Sequence, residues 1–308
     1  MMPTIHTLTG NLLWEKTFTF AAWEPGRTQR AQAERFQVGG KGVNVSRMLV
    51  RLGAPTAAWF FPGGATGAEC EAWLRARDVP CRPFPLTAPT RAGLVVHSPP
   101  RPETTFLGPD VPLEAAAVRA CADQLDACPA GDMLAVCGSI PGWDSAALDP
   151  LRSAIDRWLA RGPVVADTYG APLAWLTARP LAWVKVNRLE FDALFPEPAN
   201  SGALAARIAA AQGRGPVRTW IVTEGSRPLW YAERDGTPAS LTPPTVKEVS
   251  ATGSGDVLHA CLLHAVFHHR LPLAEALRRA LPYAAANAAQ ATVADFPLNN
   301  LPNLRSSA

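Results

Sequence analysis

No stretch of the 308 residues reaches eighteen consecutive apolar side chains, so no membrane-crossing helix is written in the chain and no membrane partner is expected. The opening residues Met1-Met2-Pro3-Thr4-Ile5-His6 lack the basic and apolar regions of a secretory signal, which makes the cytoplasm the expected location. Cysteine is sparse and scattered. Cys70, Cys81, Cys121, Cys128, Cys137 and Cys261 never form Cys-x-x-Cys, so they read as reduced, small apolar side chains and not as a disulfide or zinc framework. An excess of one charge is missing too. Lys and Arg number 29 against 26 Asp and Glu, and the resulting +3 is too small to argue for a nucleic-acid partner, though it suits anionic small substrates.

Two familiar phosphate-binding fingerprints are also absent. A P-loop would need glycine where Arg35 stands and a hydroxyl where Gly42 stands. No G-x-G-x-x-G follows an early strand, which removes most of the support for a Rossmann dinucleotide site. No internal repeat or low-complexity segment stands out.

What is present fits a folded protein: 48% hydrophobic and 18% charged residues, in a length that suits one large α/β domain or two smaller ones. Thirty prolines and abundant alanine read as compositional bias, because hydrophobic segments recur between them. Short apolar runs at 5–9, 57–61, 133–137, 164–167, 183–186 and 220–223 predict strands. Helical periods at 68–77, 113–127 and 146–161 separate them, a pattern that predicts a mostly parallel sheet covered on both faces. Ligands of such sheets collect at the carboxyl ends of strands, where Gly138, Asp167, Asn187 and Glu224 fall. Residues 12–38 alternate polar and apolar side chains around the turn at Glu24-Pro25-Gly26-Arg27, and short strands follow at 94–97 and 104–107. These suit a lid or dimer contact better than a core, with Trp14 and Trp23 placed either to cover a ligand or partner or simply to pack. A packed helix at 283–291, with Pro282 in its first turn, and a loose tail over the last dozen residues complete the chain.

Ala251-Thr252-Gly253-Ser254-Gly255-Asp256 runs straight into the apolar stretch 257–267, which places the glycines at a helix N-terminus. There unpaired N–H groups and the positive end of the helix dipole form an anion site, and an aspartate at its mouth suits a base that deprotonates an attacking hydroxyl. An ordinary glycine-rich turn is the plain alternative. Earlier, Gly39-Gly40-Lys41-Gly42-Val43-Asn44-Val45-Ser46 enters a second helix that closes at Gly53.

With both motifs in this order, nearly the whole chain resembles the PfkB (ribokinase-like) carbohydrate kinases. Gly138-Ser139-Ile140-Pro141, Asn187-Arg188-Leu189-Glu190 after Lys185-Val186, and Thr223-Glu224-Gly225 agree. The wording Gly-Gly-Lys-Gly-Val-Asn-Val-Ser, with Thr7-Leu8-Thr9-x-Asn11, Thr90-Arg91 and Gly108-Pro109, is most similar to the branch of 1-phosphofructokinase and tagatose-6-phosphate kinase. The resemblance implies a single ribokinase-like three-layer α/β sandwich spanning 1–308, with a small β-sheet lid formed by insertions at about 12–38 and 84–108. It implies ATP and Mg²⁺ and transfer of phosphoryl to a hydroxyl of a sugar or sugar phosphate, and a hairpin lid carrying exposed aromatics makes a homodimer through the lid the expected assembly. By position, Asp256 matches the catalytic base and Gly253, Ser254 and Gly255 the anion hole. Glu15, Gly39, Gly40, Lys41, Asn44, Arg91 and Ser139 match the substrate side, Arg91 as a clamp for phosphate. Lys185, Asn187, Glu190, Thr223 and Gly225 match the nucleotide side, and Glu190 would hold Mg²⁺ through water.

This chain departs from the family on the sugar side. The usual lid aspartate is Glu15, Gly63-Gly64-Ala65-Thr66-Gly67 replaces Gly-Gly-Asp-x-x-Gly, and Ala92 and Gly93 follow Arg91. Competing readings are a kinase of a free sugar or nucleoside and a non-catalytic sensor of the same fold. Locally, Lys41 could cap carbonyls, Asn187 with Glu190 could be a plain helix cap, and His264 with His268 share a helix face at zinc spacing without the H-E-x-x-H glutamate. Asn287 is placed to approach an adenine.

Overall fold

A computed structural model describes residues 2–98, 101, 103–196 and 203–305. Nine strands form the main sheet in the order β13-β12-β11-β10-β9-β8-β1-β4-β5. Here β1 is Ile5–Thr9, β4 Thr56–Phe60, β5 Cys81–Pro83, β8 Met133–Cys137, β9 Val164–Asp167, β10 Trp183–Asn187, β11 Thr219–Glu224, β12 Arg227–Glu233 and β13 Ala239–Leu241. The seven strands from β11 to β5 pair in parallel, and β12 and β13 add an antiparallel edge.

The central strands are apolar on both faces because both are covered. In β8 the residues Met133, Ala135 and Cys137 join one core, and Leu134 and Val136 join the other. The first core receives α1 (Lys41–Arg51), α8 (Ser254–Leu262) and α9 (Leu273–Ala288), while the second receives α3 (Ala115–Asp126), α4 (Asp149–Leu159) and α7 (Leu204–Gly213). The result is the expected three-layer sandwich. From β1 the chain moves to β4 on one side and returns to β8 on the other, so the order reverses between β1 and β8. That switch point opens a crevice at the strand ends Thr9, Cys137 and Asp167.

A second sheet of four strands, β3-β2-β6-β7, is made by β2 (Leu13–Thr19), β3 (Ala33–Gly39), β6 (Ala92–His97) and β7 (Thr104–Leu107). A small core of Leu12, Val38, Val43, Phe60 and Leu74 ties it to α1, β4 and α2 (Gly64–Arg75). Parts of the expected lid segment at 99–100 and 102 lie outside the described residues.

Several local expectations change. Pro282 sits inside α9, not in its first turn, because the helix begins nine residues earlier at Leu273 and its buried face runs through the proline. The apolar run at 257–267 is two pieces, α8 and a π-helical segment Leu263–His268. The tail is docked as far as it is described: Tyr283 Oη donates to Pro302 O at 2.8 Å, Arg279 reaches the carbonyls of Asn303 and Arg305, and Leu304 is buried. Residues 306–308 lie outside the described residues. Trp14 donates to Glu69 at 2.7 Å instead of covering a ligand, a contact between the small sheet and α2. His264 meets His269, Nε2 to Nε2 at 3.2 Å, and His268 meets Pro3 O at 2.9 Å, so their ring nitrogens serve the packing of this bend.

His259, on α8 and fully buried against Trp183, has neither ring nitrogen hydrogen-bonded among the described residues. Burial holds its pKa down at about 3, so the ring is neutral in the fold. A histidine whose folded pKa is depressed contributes full stability above its unfolded value near 6.5, and that contribution falls as pH drops toward the folded value. Replacing His259 with leucine removes an unpaired polar ring and this acid sensitivity. The expected outcome is a variant whose unfolding free energy in urea declines less than the parent's between pH 7 and pH 5, by about 2 kcal/mol at pH 5. Parallel declines would exclude the neutral buried imidazole.

Candidate active site

The crevice at the switch point is a cleft of about 950 Å³ between the strand ends, the starts of α1 and α8, and the small sheet. Its walls contain every residue assigned from the sequence to the base, the anion hole, the sugar side and the nucleotide side.

Two helix N-termini meet at its floor. Gly40 precedes α1 with φ +132°, and a Cβ at Gly42 would stand 2.5 Å from Thr9 Oγ1, so the glycines let α1 lie directly on β1. At α8, Gly253 has φ +74°, and a Cβ there would stand 2.3 Å from Val293 Cγ1. The two helices are joined through their side chains: Asn44 Nδ2 donates to Asp256 Oδ2 at 2.8 Å. Ser254 N turns back to Ala251 O at 3.2 Å and no side chain caps the helix start, which leaves the amides of Gly255 and Asp256 as the uncapped donors of the first turn. Asn287 does not face an adenine. It is buried under this loop, where Nδ2 donates to Thr252 O and Ser254 Oγ at 3.0 Å each and Oδ1 accepts from Ala294 N at 2.8 Å.

Charge in the cleft is organised around Asp167, a residue whose strand-end position the sequence reveals but whose partners it does not. Fully buried at the end of β9, it accepts from Lys41 Nζ at 2.9 Å and from Lys185 Nζ at 2.7 Å. Lys41 also donates to Glu190 Oε1 at 2.9 Å and lies over the Tyr169 ring. Burial would lift the Asp167 pKa, but the two ammonium groups hold it well below the usual carboxylate range. Burial would lower Lys41, and Asp167, Glu190 and Asp256 outweigh it, so the ammonium is held charged above its ordinary value. Asp256, only 7% exposed, moves the other way: burial, then the neighbouring Asp167 charge, push it up to about 6 against the pull of Lys41 and Asn44.

On the nucleotide side, Asn187 and Glu190 form a complete capping box at α6 (Arg188–Leu194). Asn187 Oδ1 accepts from Glu190 N, and Glu190 Oε2 accepts from Asn187 N, each at 2.9 Å. The plain cap is therefore real, and it also presents the other Glu190 oxygen to the cleft through Lys41. Thr223 Oγ1 donates weakly to Val186 O at 3.4 Å, and Gly225 turns with φ +58°. The same lining carries the apolar residues Pro243, Val246, Leu281, Ala284 and Ala288, with Thr242, Thr245 and Glu248 among them. Among the described residues no group of three or more His, Cys, Asp or Glu is arranged to hold a metal directly.

On the other side, Arg91 Nη1 donates to Asp110 Oδ1 at 2.8 Å, Asn11 Nδ2 donates to the same oxygen at 2.8 Å, and Asn11 also reaches Ser139 Oγ at 2.9 Å. Glu15 is buried in β2 and accepts from Gln37 Nε2 across the strand pair. The Gly63–Gly67 segment lies away from the cleft lining, where a Cβ at Gly63 would stand 1.9 Å from Ala88 O and Thr66 Oγ1 donates to Thr90 O at 2.8 Å. Asp167, Tyr169 and Gln37 were not assigned to the site from the sequence, since none belongs to a motif and only the fold brings them to the cleft.

Comparison with known proteins agrees with this geometry. The profile described as pfkB family carbohydrate kinase matches residues 12–299. The chain is 30% identical over 285 residues to 1-phosphofructokinase of Xanthomonas campestris pv. campestris, covering 90% of this chain and 88% of that protein. It is 29% identical over 267 residues to ATP-dependent 6-phosphofructokinase isozyme 2 of Mycobacterium tuberculosis, covering 84% and 77%. In fold it is similar to phosphofructokinase-2 from Escherichia coli crystallised with fructose-6-phosphate, with TM-score 0.84, 24% identity and coverage of 93% and 94%. The ribokinase of Thermotoga maritima is more distant, at TM-score 0.75 and 15% identity, with 95% of each chain covered. A match over nearly the full length, on a chain whose two glycine-led helices meet at one buried aspartate, places this protein in the pfkB family of carbohydrate kinases.

Proposed function

We propose that the protein transfers the γ-phosphoryl group of ATP to a hydroxyl of a sugar phosphate, with Asp256 as the base. The observation that carries this reading is the buried Asp256 at the uncapped start of α8, held by Asn44 from the start of α1. Asp256 takes the proton of the acceptor hydroxyl as its oxygen bonds to the γ-phosphorus and the bond to ADP breaks. The amides of Gly255 and Asp256 face the charge that develops on the transferred group. The apolar residues Pro243, Val246, Leu281, Ala284 and Ala288 suit an adenine ring, and Lys185 stands where phosphates would pass.

Mg²⁺ fits the charge present. Asp167, Glu190 and an ionised Asp256 outnumber Lys41 and Lys185, so a polyanionic nucleotide is better received with a hard divalent cation. Glu190, whose oxygens face Lys41 and the backbone, would hold the ion through water, and the ion would neutralise phosphate charge when bound. The acceptor's own phosphate is assigned to Arg91. Its present partner Asp110 is more than half exposed, and such a pair contributes only about 0–1 kcal/mol, so a phosphate can replace it.

The small sheet with its connections, 12–38 and 84–108, serves as a lid that excludes water from a single catalytic unit. Phe106 and Leu107 on its edge strand, 51% and 56% exposed, support a homodimer through that sheet. Six free cysteines suit the reducing cytoplasm, where ATP and sugar phosphates are found.

Replacing Asp256 with asparagine should reduce turnover about 10²- to 10⁴-fold while leaving ATP affinity by calorimetry nearly unchanged. Wild-type turnover in that variant would remove Asp256 from the chemistry. Because the base works only when ionised, kcat/KM for the acceptor should rise with pH through about 6 and level above it. Lys41 lowers the Asp256 pKa, so Lys41→Met should move that limb to higher pH, and an unmoved limb would argue against their coupling. A panel of fructose and tagatose phosphates, free sugars and nucleosides, read by ADP release, should give turnover with a phosphorylated ketose.

A further inference from the structure

The wall that the small sheet presents to the cleft carries an unusual pair. Glu15 on β2 and Gln37 on β3 are direct cross-strand neighbours, both line the cleft, and both are buried, Gln37 to 6% exposure. Gln37 spends its amide N–H on Glu15 Oε1, and its own Oε1 has no hydrogen-bond partner among the described residues. A buried amide oxygen without a partner costs about 1–3 kcal/mol, so it persists where something else satisfies it. The residue paired with Glu15 on β6 is Gly93, and the side chains of Leu13 and Leu107 fill the space over it. Gly39, on the other side, stands close to Glu15 Oε2, at 3.4 Å from its Cβ position. The longer acid at position 15 therefore does not stand alone: it is braced by an N–H of Gln37, whose own side-chain oxygen is left without a partner among the described residues.

We infer that Gln37 is a specificity-determining residue, whose side-chain oxygen accepts a hydrogen bond from one hydroxyl of the acceptor sugar while its amide N–H orients Glu15. The assignment rests on the reading of the protein as a sugar-phosphate kinase and adds to it. The Glu15 and Gln37 oxygens favour the hydroxyl-bearing part of the substrate over its phosphate, which falls to Arg91 in the same lining. Burial raises the Glu15 pKa, which agrees with a carboxyl group shielded by the lid sheet.

The test pairs a protein change with a substrate change. Gln37→Met keeps length and apolar packing and removes both the acceptor and the donor, and Gln37→Glu keeps an acceptor oxygen. The full-length wild type is first assayed with the phosphosugar panel, then with analogues of the best acceptor in which each hydroxyl in turn is replaced by hydrogen. Gln37→Met should raise the acceptor KM about ten- to a hundredfold with the KM for ATP unchanged. One deoxy analogue should lose the same factor with wild type and lose nothing further with Gln37→Met, and Gln37→Glu should keep part of that discrimination. If every analogue weakens by the same factor in wild type and variant, Gln37 only supports Glu15 and the inference is overturned while the kinase reading stands. If wild type turns over no phosphosugar, that reading fails and the inference fails with it. Heat-unfolding shifts on adding ATP report whether each variant is folded.

Discussion

A single carboxylate, Asp167, buried between two ammonium groups, is the interaction on which the active cleft depends. An ionised carboxylate of this kind is tolerable only because Lys41 and Lys185 both donate to it, one from the start of α1 and one from β10. The pairing draws three separate elements to one point, and its field reaches Asp256. Burial and then Asp167 raise the proton affinity of that residue while Lys41 and Asn44 lower it, which leaves Asp256 titrating at about 6. Lys41 also sits at the first position of a helix, where a cation opposes the dipole, and the carboxylates of Asp167 and Glu190 offset that cost.

The second constraint is close packing at the two helix starts. Asn44 and Asp256 are 212 positions apart in the chain, yet their side chains are hydrogen-bonded because α1 and α8 dock side by side on one face of the sheet. Glycine is required where backbone meets side chain: Gly42 against Thr9 and Gly253 against Val293. The segment behind Gly253 is itself held. Arg47 reaches Val293 O at 2.8 Å, Arg51 reaches Ala294 O at 2.7 Å, and Asn287 bridges that segment to the anion loop. The uncapped amides of α8 are thus fixed from two sides before any ligand arrives, which is the preorganisation an electrostatic site needs.

The two halves of the cleft differ in how completely their polar groups are satisfied. On the nucleotide side the capping box of Asn187 and Glu190 closes on itself, and apolar residues stand in the same lining. On the side expected to take the acceptor, Thr9 Oγ1, Gln37 Oε1 and Arg91 Nε are buried without partners among the described residues. Of the positions where the chain departs from the common family wording, Glu15 lies on that wall beside Gln37, while Gly63–Gly67 lies away from the cleft lining. In the proposed mechanism this wall would set specificity for the acceptor, and the floor beneath it would carry the transfer chemistry.

Much was legible in the amino-acid order. Apolar runs separated by helical periods determined the parallel layered sheet, because strands buried on both faces need no alternation. The glycine-led helix starts determined where an anion could bind, because only glycine allows that backbone and that approach. Residues without a local signature were not legible. The antiparallel edge β12 and β13, the placement of Pro282 inside α9, and the bends around Leu263–His268 follow from long-range packing that overrides local propensity. Asp167 read only as a strand end, Gln37 as one more polar residue in a hairpin, and Asn287 as a loose candidate for adenine. Which charges pair, which oxygen stays unpaired and which loop is clamped depend on distances between elements far apart in the chain, and those distances exist only once the sheet has brought the strand ends together.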